Sequence, residues 1–106
     1  MVEVKIIDVT DYNSKFDGIE HVLVDVREQD EYEGGHLPGA VNLPLSGFQE
    51  TYQQIPGDKA VVLVCKSGGR SQMAAEFLSG TGKYTDLTNL DGGTMGWVEA
   101  GNQVEK

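Results

Sequence analysis

The chain has 106 residues, of which 39% are hydrophobic and 24% are charged, and these fractions are typical of one globular domain. Seventeen acidic side chains against eight basic ones give a formal net charge of −9, which argues against partners that are nucleic acids or anionic membrane surfaces. The longest purely apolar run covers residues 60–65 and is far shorter than the roughly 20 residues of a membrane-spanning helix. We therefore expect a single monomeric domain over residues 1–106, with no nucleic acid or membrane partner.

The chain uses cysteine once, at Cys65, and histidine twice, at His21 and His36. A single cysteine cannot form an internal disulfide, and these three residues do not suffice for a closed zinc site. We expect neither a metal nor another cofactor. Residues 1–10 carry Glu3 and Lys5 among their first positions and lack the apolar block of a signal peptide, so the expected location is cytoplasmic.

In chain order, strand patterns alternate with helix patterns. Strands are predicted at residues 2–7, 21–26, 40–43, 60–65 and 86–90. Helices are predicted at residues 10–16, with Thr10 or Asp11 as the cap, and at 27–34, 46–55, 70–79 and 92–101. In the fourth helix, the apolar stripe contains Met73, Ala74, Phe77 and Leu78. Such alternation predicts an α/β fold in which helices cover both faces of a mainly parallel sheet.

The loop CKSGGRS, residues 65–71, lies where the clearest predicted strand ends, and sites of α/β proteins form at such carboxyl ends. Its two glycines allow several backbone N–H groups to turn toward one point, and the following helix adds the positive end of its dipole. Such surroundings lower the pKa of a thiol from about 8.5 to about 3.5–7.5. We therefore predict that Cys65 is a thiolate nucleophile beside a place for an anionic substrate. The predicted cradle consists of Lys66, Ser67, Gly68, Gly69, Arg70 and Ser71.

Three segments together resemble the single-domain rhodaneses, a family of thiosulfate sulfurtransferases. Residues 24–44, VDVREQDEYEGGHLPGAVNLP, are similar to the family's Asp-x-Arg, Glu-Tyr and Gly-His-x-Pro-Gly-Ala-x-Asn signature. Residues 65–71 resemble the active-site loop, and residues 90–101, LDGGTMGWVEAG, resemble the C-terminal Gly-Gly and Trp segment. The resemblance runs from about Val22 to Gly101 and implies a five-stranded, mainly parallel sheet flanked by helices.

The resemblance also implies a reaction. The thiolate of Cys65 would attack the outer sulfur of thiosulfate, sulfite would leave, and a persulfide would remain for cyanide, a cellular thiol or a protein acceptor to remove. The amides of the cradle would stabilise the persulfide, and Arg70 would hold the loop or the substrate. Because a preformed thiolate needs no general base, Asp25, Arg27 and His36 are interpreted as structural support.

Three alternatives remain open on the residues alone. Cysteine-dependent phosphatases and arsenate reductases also place a thiolate at a helix N-terminus, but they separate cysteine from arginine by five residues, whereas four separate Cys65 from Arg70. Rhodanese-like domains that act only as binding modules usually lack the cysteine. A carrier that delivers its persulfide to one dedicated protein is the third alternative. In every sulfur-transfer case the acceptor must be external, because the chain holds no second cysteine.

Overall fold

The computed structural model describes residues 2–106. The strands are β1 Val4–Ile7, β2 His21–Asp25, β3 Val41–Asn42, β4 Ala60–Val64 and β5 Leu87–Leu90. The α-helices are α1 Val9–Lys15, α2 Gln29–Glu33, α3 Phe48–Thr51, α4 Gly69–Thr81 and α5 Gly93–Glu99. Short 3₁₀ turns, Leu45–Gly47 and Tyr52–Gln54, flank α3. The five predicted strands and the alternation with helices are thereby confirmed.

The strands form one sheet in the order β1-β5-β4-β2-β3, and every pairing between them is parallel. The valine-rich β4 lies at the centre, with β2 on one side and β5 on the other. Because the three central strands run in the same direction, the segments that follow Asp25, Val64 and Leu90 meet at one edge of the sheet. The fold thus brings the cysteine loop between two other loops.

Helices cover both faces of the sheet, and the alternation of side chains in β4 defines two cores. Val61 and Leu63 pack with α3 and α4, whereas Val62 and Val64 pack on the opposite face with α1 and α5. All four side chains are fully buried. Complete burial of such a side chain stabilises a fold by about 1.5–3 kcal/mol. The central strand is therefore fixed from both faces just before the cysteine.

The structure corrects the expected cap of α1. Asp8 caps this helix, since its carboxylate accepts a hydrogen bond of 2.8 Å from the N–H of Asp11. The prediction of Thr10 or Asp11 as the cap was wrong because the chain turns into the helix directly after β1 ends at Ile7.

The buried face of α4 is also shifted around the helix relative to the predicted apolar stripe. Ala74 and Leu78 are fully buried and Phe77 packs partly buried against the same core, but Met73 is 60% exposed. The buried face of the helix instead includes Ser71, three residues before Ala74. Met73 lies just off this face, so its expected place in the core was wrong.

Residues 46–55 do not form the one helix that was predicted. Four residues of α-helix, Phe48–Thr51, lie between two 3₁₀ turns. The hydroxyl of Thr51 donates to the carbonyl of Gly47 at 3.2 Å, a local bond that tends to bend helices. Phe48, only 2% exposed, anchors the segment in the core regardless of this break.

Candidate active site

Cys65 follows β4 at the centre of the sheet, and the residue is 1% exposed. Its Sγ accepts a hydrogen bond of 3.1 Å from the N–H of Gly68. This contact requires the backbone of Gly68 to adopt a φ of +120°, a region that glycine enters without the steric penalty of a side chain. The loop therefore turns back on the sulfur, as the glycine pair predicted.

The pKa of the Cys65 thiol reflects two opposing effects. Burial raises the pKa, because it disfavours the charged form. Hydrogen bonds from the hydroxyl of Ser71 and from the N–H groups of Ser71, Gly68 and Ser67 lower it, and together they outweigh burial. The net result is a pKa below the ordinary value for cysteine, so the loop favours the thiolate.

The hydroxyl of Ser71 lies between three acceptors. It is 2.5 Å from Oδ1 of Asn89, 3.2 Å from the carbonyl of Gly68 and 3.4 Å from Sγ of Cys65. Nδ2 of Asn89 donates in turn to the carbonyl of Gly68 at 3.1 Å and to Oε1 of Gln72 at 2.9 Å. Because one hydroxyl hydrogen serves three acceptors, the sulfur competes with Asn89 for this donor.

Asn89 was not among the site residues predicted from the sequence, although one signal was available. Asn89 is a buried polar residue in the short strand β5, two positions after Leu87 and therefore on the same face of the sheet, toward α4. A buried amide in a strand needs hydrogen-bond partners, and those of Asn89 lie in or next to residues 65–71, which we call the catalytic loop.

The start of α5 holds the catalytic loop from the other side. The N–H of Thr94 donates to the carbonyl of Cys65 at 2.8 Å, and the N–H of Met95 donates to the carbonyl of Lys66 at 3.0 Å. Gly93 makes this approach possible: its φ is +59°, and a Cβ atom there would lie 2.4 Å from the carbonyl oxygen of Cys65. Binding of these two carbonyls by α5 fixes the orientation of the loop's first peptide groups.

Arg70, the arginine of the loop, pairs with a residue of another helix. Its guanidinium forms a two-pronged pair with Glu31 of α2, with distances of 2.7 and 3.0 Å to the two carboxylate oxygens. The hydrogen bonds from Arg70 hold the pKa of Glu31 at about 2, against a smaller opposing effect of burial. Glu31 in turn raises the pKa of Arg70. Glu31 belongs to the quoted Glu-Tyr motif, but the sequence alone did not indicate this contact.

Asp25 and Arg27, which were expected to support the site, form a buried ion pair at 2.8 Å. Arg27 also donates to the carbonyl of Gly35 at 2.8 Å, and the amide of Asn42 donates to the carbonyls of Asp25 and Arg27. These hydrogen bonds therefore connect distant parts of the segment after β2, residues 25–43, with each other. The role of the pair in supporting the reaction stays a prediction.

His36 lies in the same segment, and its polar contacts within residues 2–106 are to Tyr32 and Glu105. Its Nδ1 donates to the carbonyl of Tyr32 at 2.8 Å, and the two rings stack with centroids 3.7 Å apart. Its backbone pairs with that of Glu105 in an antiparallel bridge. These contacts hold His36 against Tyr32 and Glu105, and its role as structural support stays a prediction.

A groove of about 490 Å³ opens beside the loop. Its apolar lining includes Met95, Val98 and Val104, and its polar lining includes Arg27 and Lys66. Within residues 2–106, no three His, Cys, Asp or Glu side chains form a group able to hold a metal ion. Over the same residues, no helix has the length and apolar character required to cross a membrane.

The loop between β4 and α4 thus holds a buried cysteine whose sulfur accepts a backbone hydrogen bond. The model of the rhodanese-like domain matches residues 4–100. The chain belongs to the rhodanese family. The family supports sulfur transfer as its general chemistry, and it confirms the resemblance found in the sequence.

Rhodanese relatives agree in sequence and in structure. The thiosulfate sulfurtransferase GlpE of Pseudomonas syringae is 38% identical over 76 residues, which are 72% of this chain and 71% of GlpE. The uncharacterized protein YqhL of Bacillus subtilis is 45% identical over 75 residues, 71% of this chain but only 59% of YqhL. A crystal structure of a rhodanese-related protein from Thermoplasma volcanium superposes with a TM-score of 0.84 at 30% identity, covering 95% of this chain and 97% of that one.

Proposed function

We propose that this rhodanese is a sulfurtransferase that moves a sulfane sulfur from thiosulfate, or a similar donor, through a persulfide on Cys65 to cyanide or an external thiol. The observation that carries the proposal is the hydrogen-bonded sulfur itself. Sγ of Cys65 accepts from the N–H of Gly68 and faces the hydroxyl of Ser71, and these contacts lower the pKa of the thiol and so favour the thiolate, its nucleophilic form.

In the first step, the thiolate of Cys65 attacks the outer sulfur of thiosulfate. A new S–S bond forms, the S–S bond of thiosulfate breaks, and sulfite leaves with the bonding electron pair. The terminal sulfur of the new persulfide carries the negative charge. N–H groups of the loop, already directed to one sulfur by Gly68, are suited to stabilise this charge.

In the second step, cyanide or a thiolate attacks the terminal sulfur of the persulfide. Cyanide becomes thiocyanate, or a thiol becomes a persulfide, and the Cys65 thiolate is restored. With one cysteine in the chain, no internal disulfide can release the sulfur, so the acceptor comes from outside. No step requires proton removal by a side chain, which agrees with the structural contacts of His36.

Intact mass measurement tests the proposal directly. Incubation with thiosulfate should add the mass of one sulfur atom, and cyanide should remove it and yield thiocyanate. The Cys65→Ser variant should fold and do neither. Thiocyanate production by folded Cys65→Ser at the native rate would overturn the assignment. Efficient hydrolysis of aryl phosphates, with no sulfur loaded from any donor, would favour the phosphatase alternative.

A further inference from the structure

The pair between Glu31 and Arg70 places a carboxylate at the arginine of the catalytic loop. Nη1 and Nη2 of Arg70 donate to Oε1 and Oε2 of Glu31 at 2.7 and 3.0 Å. The two side chains are about one third exposed, with values of 34% for Arg70 and 31% for Glu31. The pair is therefore partly open to solvent, and Glu31 also lines the groove beside the loop.

The other charges around this entrance do not favour a dianion. Arg27, the second arginine near the groove, is neutralised by Asp25. Lys66 forms no ion pair within residues 2–106, but two further acidic residues of the groove, Asp30 and Glu99, likewise form none there. The formal net charge of −9 adds long-range repulsion of anions.

The groove beside the loop also exceeds what a small inorganic ion needs. Its volume is about 490 Å³, and its wall includes Met95 and Val98, which are 45% and 54% exposed. It begins at Lys66 and Thr94, which are bonded into the catalytic loop region. Exposed apolar side chains in a groove that begins at Lys66, the residue after Cys65, suit the organic part of a substrate, because binding removes their surface from water.

Resting on the proposed function, we propose that Glu31 is a specificity-determining residue that holds Arg70 away from dianionic donors. The site then takes its sulfur from a low-molecular-weight organic persulfide, R–S–SH, in preference to thiosulfate, and the R group lies in the groove. The charge balance at the entrance and the apolar wall of the groove support the same substrate class. Glu31 acts through Arg70 and does not touch the reacting sulfur.

The reaction with such a donor balances without a further reagent. The Cys65 thiolate attacks the outer sulfur of R–S–SH, the S–S bond of the donor breaks, and the thiolate R–S⁻ leaves. The outer proton passes to the leaving thiolate, so that the products are R–SH and the Cys65 persulfide anion. The leaving thiolate carries one negative charge, whereas sulfite carries two. The apolar part of the thiolate can stay in contact with the wall of the groove.

The test compares kcat and KM for cysteine persulfide and for thiosulfate in three proteins. The native protein should have the higher kcat/KM for cysteine persulfide. Glu31→Gln releases Arg70 but can still accept the bond from the N–H of Glu28. It should raise kcat/KM for thiosulfate about two- to fivefold, the effect of one partly exposed charge pair, and mainly through KM. The rate with cysteine persulfide should hardly change.

Glu33→Gln is the matched control, because Glu33 lies on the same helix and contacts Gln29 instead of Arg70. It alters net charge equally and should leave the preference between donors unchanged. Val98→Ser removes apolar surface at an exposed position of the groove without adding a charge, and it should lower kcat/KM for cysteine persulfide more than for thiosulfate.

The outcomes separate the two proposals. Equal effects of Glu31→Gln and Glu33→Gln on thiosulfate, or a native preference for thiosulfate, would overturn the inference and leave the proposed function standing. A native protein that loads sulfur on Cys65 from neither donor would overturn the proposed function together with the inference. If Glu31→Gln does not fold, the native preference between the two donors and the Val98→Ser variant still decide.

Discussion

The catalytic loop, residues 65–71, and the segment after β2, residues 25–43, follow neighbouring parallel strands, but their hydrogen bonds are of opposite kinds. In the segment after β2, side chains bind backbone: Arg27 donates to Gly35, and the hydroxyl of Tyr32 donates to Ala40 at 2.6 Å. In the catalytic loop, backbone binds a side chain, because the N–H of Gly68 donates to the sulfur of Cys65. The first arrangement fixes a shape, and the second stabilises a charge.

The comparison shows how a small domain separates stability from chemistry. Asp25 and Arg27 neutralise each other, so little of their field remains for a substrate. The loop donors are directed to one atom whose pKa is lowered as a result. Changes after β2 should therefore reduce stability first, and changes in the loop should reduce reactivity first.

The largest expected effect concerns the buried pair. Asp25→Asn leaves the guanidinium of Arg27, a residue only 6% exposed, without its counter-charge. The free energy of unfolding should fall by about 3–5 kcal/mol, measured by urea denaturation. Asp86→Asn is the control, since it removes the exposed pair with Lys5 and should cost less than about 1 kcal/mol. Equal losses in the two variants would contradict the contrast between buried and exposed pairs.

Gly93→Ala should reduce the rate of sulfur transfer by displacing the catalytic loop. The added Cβ would meet the carbonyl oxygens of Cys65 and Lys66 at 2.4 and 2.6 Å, so α5 must move away from the loop. A displacement near 1 Å can lower the rate of sulfur transfer about a hundredfold. Steady-state kinetics would measure this loss. Gly80→Ala, in open space on α4, should keep the native rate, and a native rate in Gly93→Ala would show that α5 does not position the loop.

Ser71→Ala should reduce reactivity at a smaller scale. Loss of one hydroxyl donor raises the pKa of Cys65, so the thiolate appears at higher pH. The rate of alkylation by iodoacetamide at pH 7 should fall about fivefold, the value of a hydrogen bond of about 1 kcal/mol. Ser14→Ala, at an exposed hydroxyl of α1, serves as the control. An unchanged pH profile in Ser71→Ala would mean that the hydroxyl donates to Asn89 alone.

The smallest effect is the acid dependence of the pair between Glu31 and Arg70. The folded pKa of Glu31, about 2, lies below its ordinary value of 4.5, so the pair stabilises the fold above pH 4.5 and loses its effect as pH falls toward 2. Glu31→Gln should be less stable than the native protein by under about 1 kcal/mol at pH 7, because both side chains are partly exposed. Urea denaturation at several pH values would check this. A difference as large at pH 2 as at pH 7 would contradict it.

Much of the fold was readable from the sequence, because its signals are local. The run of valines in β4 and the glycines after Cys65 predicted a buried strand that ends in a tight loop, and both are present. The buried faces and the ends of the helices were predicted less accurately. Met73 had the right residue type for the core but the wrong angular position on α4, and the segment around Phe48 was held by packing despite a broken helix.

The sequence by itself determined the glycine loop after Cys65 and the parallel α/β fold, and it predicted Cys65 as the nucleophile, because these depend on residue type, backbone freedom and the period of apolar positions. Only the tertiary structure decided the partners of the loop. Glu31, Asn89 and Gly93 come from three separate elements, and their contacts with Arg70, Ser71 and the carbonyl of Cys65 exist only after the sheet has formed. Hydrogen bonds and ion pairs act over a few ångströms, whereas these residues lie far apart along the chain, so no local pattern could reveal which of them would meet.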